Sequence, residues 1–348
     1  MLEVVVFIDG RQDLTHPSWL YAGLGLLAKA GELTLRFRRL AGSPLPQLQP
    51  GNVFSQLEAR SNGKTSRLLF DFKDQNDVFC DELVPSVDVY FKRSFLASEV
   101  EKRAAAGKVL PFGMPFACRL PGGLSVIVRD LSAGGRPQES YESRLRRLYQ
   151  YLRIDDARSF VATAPAAKIQ RVIFQTRLWE PHEIADDDLD SVNLPRVTLI
   201  RRLQRELGSR FLGGLIPTVR ARRDYPELVR EAGVRRDAYL ALMRASAVGI
   251  STRGLFHSTP WKLSEYLSTG IAVVTQPITN QPLDPLIEKK HVLTFHSEDE
   301  CLQHCTFLLE NPQAAAQMQQ ANRAYYESSV DPMAVVRRCL RQAGASGP

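Results

Sequence analysis

The run Thr259-Pro260-Trp261-Lys262 marks the start of a helix, with Lys262 and Glu265 one turn apart on one face. Ser258 and Thr259 are types that cap helix starts, and Pro260 suits the first helical position. A first turn leaves backbone N–H groups unpaired and carries the positive end of the helix dipole, so a phosphate is well accommodated there. A lysine in that turn works against the dipole unless an anion sits beside it. A diphosphate would supply the anion, and Glu265 could accept hydrogen bonds from the two hydroxyls of a ribose. The competing reading is an ordinary surface ion pair between Lys262 and Glu265, worth only a few tenths of a kcal/mol. Gly254, in the preceding loop, lets the backbone come close to a ligand.

The elements that must position these residues follow from periodicity. Residues 247–251 read as a strand, 260–269 as a helix stopped by Gly270, and 271–275 as the next strand. Leu263, Tyr266 and Leu267 share the face that is buried against the sheet. The same alternation begins earlier, with a strand over 171–175, a helix over 191–207 closed by Gly208, a strand over 211–216 and a helix over 237–246. It ends with a strand over 291–295. Ser297 and Glu300 form a capping box, and Asn311-Pro312 and Asp331-Pro332 open two more helices.

The first half opens as strand 2–8, helix 19–30 ended by Gly31, and strand 33–37, with further strands over 67–72, 87–92 and 108–112. Gly134-Gly135-Arg136-Pro137 is a breaker, and a basic amphipathic helix covers 143–152. Alternating strands and helices predict an α/β protein of two Rossmann-like domains with parallel sheets. We place the first in residues 1–165 and the second in 166–330, the boundary falling near Ala164-Pro165. The C-terminal helix, within 331–348, is expected to pack back onto the first domain. Ligands in such folds gather at the carboxyl ends of the strands.

Composition excludes several classes. With 348 residues, 44% hydrophobic and 24% charged, the chain is a two-domain globular protein rather than a disordered or fibrous one. No apolar run nears the roughly 20 residues that span a bilayer. Glu3 and Asp9 bracket the first apolar run, which reads as a strand and not as a signal peptide. Five scattered cysteines without CxxC spacing argue against a disulfide framework and suit a reducing cytoplasm. Cys301, His304 and Cys305 fall within one helical turn, but no second ligand cluster accompanies them, so core packing is the expected role.

The net charge of +7 favours anionic partners without choosing among them. The arginine clusters Arg144, Arg146, Arg147 and Arg220, Arg222, Arg223 lack interleaved aromatics, and no helix-turn-helix or zinc motif accompanies them, so nucleic acid is not expected. An anionic membrane surface is the more attractive partner for them.

At this point the sequence resembles a family. Gly249-Ile-Ser-Thr-Arg-Gly-Leu with Ser258-Thr-Pro-Trp-Lys-Leu-Ser-Glu-Tyr-Leu looks like the donor-binding segment of bacterial GT-B-fold glycosyltransferases of the broad "group 1" class. Phe174-Gln-Thr-Arg-Leu-Trp, Asn193-Leu-Pro-Arg196 and Phe211-Leu-Gly-Gly-Leu-Ile-Pro continue in the expected order. Val89-Tyr-Phe-Lys-Arg-Ser and Leu110-Pro-Phe-Gly-Met are first-half phrases that such enzymes often carry.

The resemblance implies two facing domains, the second binding a nucleotide sugar. Lys262 and Arg177 would hold the diphosphate and Glu265 the ribose, with Ser258 and Thr259 at the helix start. Arg253 and the backbone around Gly254 would line the phosphate or sugar pocket. Many relatives carry a pair of acidic residues seven or eight apart in this segment, and the position eight before Glu265 is that of one half of the pair. His257 stands there in this chain, as a sugar or phosphate contact or as a loop residue without a role.

The activity implied is sugar transfer from a nucleoside-diphosphate sugar to a glycan, lipid-linked or protein acceptor in glycoconjugate assembly. Without a metal, the leaving diphosphate is neutralised by cations and helix N–H groups. DxD spacing occurs only in the acidic run Asp186-Asp187-Asp188-Leu189-Asp190, which reads as a solvated loop or helix start, and metal independence, with no cofactor, is predicted. An inverting transfer needs a base. Asp13 is the first candidate, with Asp71 and Asp74 behind it and His16 nearby. Each aspartate also reads as a turn or N-cap residue. A nucleotide-sugar epimerase or phosphorylase on the same fold, or a basic nucleic-acid-binding protein, are the alternatives.

Overall fold

The computed structural model describes residues 1–8, 14–39, 53–120, 141–161, 168–181, 188–231, 233 and 235–345. Along the chain run β1 (Leu2–Ile8), α1 (Ser18–Lys29), β2 (Leu33–Arg39), β3 (Phe54–Ser61), β4 (Lys64–Asp71), β5 (Val89–Lys92), β6 (Val109–Pro111) and α2 (Tyr141–Leu152). There follow β7 (Ile169–Thr176), α3 (Asp188–Leu207), β8 (Phe211–Leu215), α4 (Arg236–Ala245), β9 (Ser246–Ser251), α5 (Trp261–Thr269) and β10 (Ala272–Thr275). The last elements are β11 (Val292–Thr294), α6 (Glu298–Glu310), α7 (Pro312–Ser329) and α8 (Pro332–Gln342), with short helical turns between some of them. The breaker at 134–137 and the boundary dipeptide Ala164-Pro165 lie outside the described residues.

The chain divides into two compact α/β units. One comprises Met1–Ser159, Asn280–Asp284 and Ser328–Pro348, and the other Phe160–Thr279 and Pro285–Glu327.

In the first unit a six-stranded sheet has the order β2-β1-β3-β4-β5-β6. Val4, Val5 and Val6 are fully buried, as expected for a strand covered on both faces, which reads as an unbroken apolar run. The sheet is predominantly parallel, but β3 runs antiparallel to both β1 and β4. Periodicity missed this strand because FSQLEARS carries polar residues on both faces. The physical cause of the reversal is Asn62-Gly63, both with positive φ (51° and 73°), between the paired residues Ser61 and Lys64. Two left-handed residues in a row make the tight hairpin turn whose twist matches antiparallel strands.

The C-terminal helix α8 belongs to this unit and lies on α1. Asp331 caps it by accepting from the Ala334 N–H at 2.9 Å, and Trp19 Nε1 donates to the Val330 carbonyl at 3.1 Å. A Cβ on Gly23 would collide with the Pro332 carbonyl and the Val336 side chain, so the two helices touch through a glycine.

In the second unit five strands, all parallel, have the order β11-β10-β9-β7-β8. Val172, Phe174, Ile200, Leu203, Val248, Ile250 and Leu308 form the centre of its core. Cys301 and Cys305 are buried in that core as free thiols, and His304 Nε2 meets the Thr294 carbonyl at 3.1 Å. Ser297 caps α6 as expected, its Oγ accepting from the Glu300 N–H at 3.2 Å, while the Glu300 carboxylate accepts from the His296 N–H at 2.7 Å, one residue before the expected capping-box partner. The chain passes from β7 outward to β8, then returns to lay β9 on the other side of β7. This reversal puts successive crossovers on opposite faces and opens a crevice at the carboxyl ends of β7 and β9.

Candidate functional site at the strand switch

The residues singled out around Lys262 converge on that crevice. Arg177 follows β7 directly, Arg253 and Gly254 follow β9, and α5 begins just beyond. The helix packs as its periodicity predicts, with Leu263, Tyr266 and Leu267 fully buried. Its start differs in detail. Pro260 is itself the N-cap, with extended backbone (φ −72°, ψ 145°) and no side-chain cap hydrogen bond. Ser258 is engaged elsewhere: its carbonyl accepts from the Gly254 N–H and its own N–H donates to the Leu255 carbonyl, both at 2.9 Å. Thr259 is half-buried between them. A Cβ on Gly254 would meet the Ser258 side chain, so this glycine serves the closure of its own loop.

The loop carries strain. Phe256 and His257 both adopt left-handed backbone, at φ 53° and 55°. For residues with a Cβ this costs roughly 1–2 kcal/mol each, and such strain gathers at ligand clamps when the surroundings over-determine it. His257 is exposed at the apex.

The ion pair between Lys262 and Glu265 is not formed. Lys262 Nζ reaches across to the sheet, donating to the Gln175 carbonyl and, at 2.9 Å, to the Tyr239 hydroxyl. Glu265, whose side chain is 7% exposed, is held by both guanidinium nitrogens of Arg236, at 2.5 and 3.3 Å. Arg236 in turn lies over the Phe160 ring, 5.2 Å from its centroid. The two residues therefore sit in separate environments, the amine at the end of β7 and the carboxylate against α4.

Two residues of α3 hold the loops that shape the crevice. The Asn193 amide pairs with both backbone groups of Trp179, accepting from its N–H and donating to its carbonyl at 3.0 Å each. Arg196, 6% exposed, donates to the Arg177 carbonyl at 2.9 Å, the Arg253 carbonyl at 3.0 Å and Thr252 Oγ1 at 3.3 Å. One guanidinium thus ties the loop after β7 to the loop after β9. Burial, reinforced by Arg177 and Arg253, pulls its pKa down to about 10, and no carboxylate among the described residues offsets its charge. The Arg177 guanidinium lies 3.6 Å from the centre of the Trp179 ring. Arg253 donates to Ser191 Oγ at 2.7 Å, while its backbone N–H donates to Gln276 Oε1 at 2.8 Å. Three arginines, the Lys262 amine and a helix start therefore surround one crevice, a concentration of positive charge suited to a multiply charged anion.

Sequence reasoning missed Asn193, Arg196 and Arg236 as working parts. The available signal was the polar pair Asn193 and Arg196, spaced one turn apart on a helix whose neighbouring positions Val192 and Val197 are core.

The base candidates lie in the first unit. Asp13 falls outside the described residues, and His16 is half-buried in the turn before α1. Asp71 is fully buried and accepts from Tyr90 Oη at 2.6 Å, Lys92 Nζ at 3.0 Å and the Lys73 N–H at 2.8 Å. Burial and this carboxylate raise the Tyr90 phenol well above its ordinary value, while burial lowers Lys92. Asp74 pairs with Arg93 and remains one-third exposed.

The sequence profile of the family described as "Glycosyl transferase-like" matches residues 196–341, a span that includes β9, the strained loop and α5. Residues 196–341 are thus similar to that family. No curated protein matches it in sequence. Among solved structures, the C-terminal domain of a glycosyl transferase group 1 family protein (LpcC) from Francisella tularensis is 11% identical. That likeness covers 49% of this chain and 96% of that domain, with a TM-score of 0.37. A UDP-GlcNAc 2-epimerase from Neisseria meningitidis bound to UDP-GlcNAc is 13% identical over 75% of this chain and 62% of its own length, with a TM-score of 0.36. Anabaena Alr3699/HepE in complex with UDP is 13% identical over 76% and 80% of the two chains, with a TM-score of 0.35. The likeness thus spans under two-thirds of the epimerase. Among the described residues, no helix is long and apolar enough to cross a membrane.

Proposed function

We propose that the protein transfers a sugar from a nucleoside-diphosphate sugar to a glycan, lipid-linked or protein acceptor, without a bound metal. The observation that carries this reading is the crevice between β7 and β9, where Lys262, Arg177, Arg253 and the start of α5 converge. The leaving diphosphate develops negative charge, and fixed cations and N–H groups aimed at it stabilise the transition state without reorganising. Lys262 and Arg177 hold the diphosphate. Arg253, the backbone at Gly254 and His257 line the adjoining phosphate or sugar pocket, with Ser258 and Thr259 shaping the approach to the helix. Glu265 receives the ribose hydroxyls, and Arg236 holds the carboxylate ready for them. For an inverting transfer, Asp13 or His16 is the base we favour. The Asp71 and Asp74 carboxylates are committed to Lys92, Tyr90 and Arg93.

Thermal-shift titration with nucleoside diphosphates tests the donor site. The wild type is expected to be stabilised by at least one of them. Lys262→Ala is expected to weaken that binding about tenfold or more, as for a lost hydrogen bond to a charged group. Glu265→Ala should abolish the preference for the ribose-containing ligand over inorganic pyrophosphate. A wild type indifferent to every nucleoside diphosphate sinks the reading, and a Glu265→Ala variant that keeps the preference removes the ribose assignment.

We further propose that the enzyme works at the cytoplasmic face of an anionic membrane. The support is α2, where Leu145, Tyr149 and Leu152 are 46%, 60% and 40% exposed at helical spacing, next to an exposed Arg146. An apolar stripe flanked by basic residues suits the headgroup boundary. The protein is expected to sediment with vesicles containing anionic lipid at low salt and to be released by Leu145→Ser/Tyr149→Ser. Absence of sedimentation at low salt excludes this part.

A further inference from the structure

Two buried polar side chains at the ends of β7 and β9 each carry a donor that lacks a hydrogen-bond partner among the described residues. Gln175 is the penultimate residue of β7 and 3% exposed, and its Nε2 has no hydrogen-bond partner among the described residues. Ser251 ends β9 fully buried, and its Oγ likewise has none. Buried polar groups are nearly always paired, so two unpaired ones call for a cause.

Their placement supplies one. β7 and β9 pair in parallel with Ile173 opposite Gly249. Two residues further along each strand come Gln175 and Ser251. The two-residue period of a strand puts them on the same sheet face as Ile173 and Gly249. That face is covered by Tyr266 of α5: its ring packs on Gly249, and its hydroxyl donates to the Ile173 carbonyl at 3.4 Å. Lys262 lies one helical turn before Tyr266 on the same side of α5, and its amine reaches the Gln175 carbonyl. Tyr266 therefore covers the Ile173 and Gly249 level, and Lys262 the Gln175 and Ser251 level. This second level lies beyond the last paired residues of β7 and β9, Ile173 and Gly249, where the two strands lead into the crevice.

The chemistry of the level is one-sided. It presents an amide N–H₂, a hydroxyl and an ammonium, and the nearest acid on the helix, Glu265, is bound to Arg236. Such a set of donors fits an anionic, oxygen-rich group. We propose that Gln175 and Ser251 are direct ligand contacts, donating hydrogen bonds to phosphate oxygens of a nucleoside diphosphate held beside Lys262. This rests on the donor-site reading above and extends the phosphate-binding set to the strand ends themselves.

The test uses the full chain and compares wild type, Gln175→Met and Ser251→Ala, with inorganic pyrophosphate and nucleoside diphosphates as probes. Ligand contacts that are unpaired within the protein impose a desolvation cost without it. Each variant should therefore unfold at the same or a higher denaturant concentration than wild type in buffer alone. Affinity for the diphosphate should fall about tenfold in each. A structural role moves both readouts the other way. If the variants are less stable in buffer yet bind a diphosphate as tightly as wild type, the two groups serve the fold and the inference is overturned. If wild type binds a diphosphate and the variants bind equally well, only the contact assignment fails. If wild type binds none, the donor-site reading and this inference fall together.

Discussion

Replacing Asp71 with alanine is expected to cost about 3–5 kcal/mol of folding stability, the largest effect of any single substitution considered for this protein. The reason is its partner. Lys92 is fully buried, its ammonium 3.0 Å from the Asp71 carboxylate, with Phe79 as a ring neighbour 4.5 Å away. Without Asp71 a buried ammonium remains, with the Val78 carbonyl at 2.9 Å and an aromatic face beside it. The Tyr90 hydroxyl loses its acceptor in the same step. Equilibrium denaturation measures the loss, and a second variant separates the causes. Asp71→Ala combined with Lys92→Met removes both charges and should recover a large part of the deficit, because an apolar substitute for a buried pair is often near neutral. A loss below about 1 kcal/mol for Asp71→Ala would show that the pair contributes no more than an exposed ion pair. The result also bears on catalysis: activity lost in Asp71 variants has to be measured on the folded fraction before any role as a base is assigned.

The second large effect is expected at Arg196, and it separates stability from binding. Arg196→Met keeps much of the side-chain volume but removes the donors to the Arg177 and Arg253 carbonyls. Leaving each carbonyl unpaired costs roughly 1–3 kcal/mol, whereas removing a buried cation with no acid beside it is favourable. The net change in stability should therefore be smaller than at Asp71. Binding has no such compensation. Both loops that present cations to the crevice lose their common anchor, and affinity for a nucleoside diphosphate should fall about 10- to 100-fold by calorimetry. Arg196→Lys retains the charge but not the fork that spans two carbonyls, so it should recover only part of the affinity. Unchanged affinity in Arg196→Met would remove this residue from the site's architecture.

These two residues show where the sequence could and could not be read. The helix Trp261–Thr269 was legible because its apolar positions recur at helical spacing and Gly270 stops it in a left-handed conformation (φ 57°). The strand Ser246–Ser251 and the capping residues Ser297 and Asp331 were legible for the same kind of local reason. The strand Phe54–Ser61 was hidden by its polar residues, although Asn62-Gly63 announced a hairpin. Ser258 and Thr259 are capping types, yet the cap position falls to Pro260, because Ser258 closes the loop back onto Gly254.

The helix start at α5, on which the proposed anion site rests, was thus legible in the sequence alone, since it follows from local residue types and helix geometry. So were the α/β class and the identity of Lys262 and Glu265 as its charged residues. The partners of those residues were decided only by tertiary structure. Lys262 and Glu265 are three residues apart and could have paired with each other. Packing α5 against β7 and α4 instead gives the amine the Gln175 carbonyl and the carboxylate Arg236, 87 and 29 residues away in the chain. Local spacing limits which groups can meet along one element. Which groups do meet across elements depends on the order of strands in the sheet, here the reversal between β7 and β9 that brings Arg177, Arg196 and Arg253 to the start of α5.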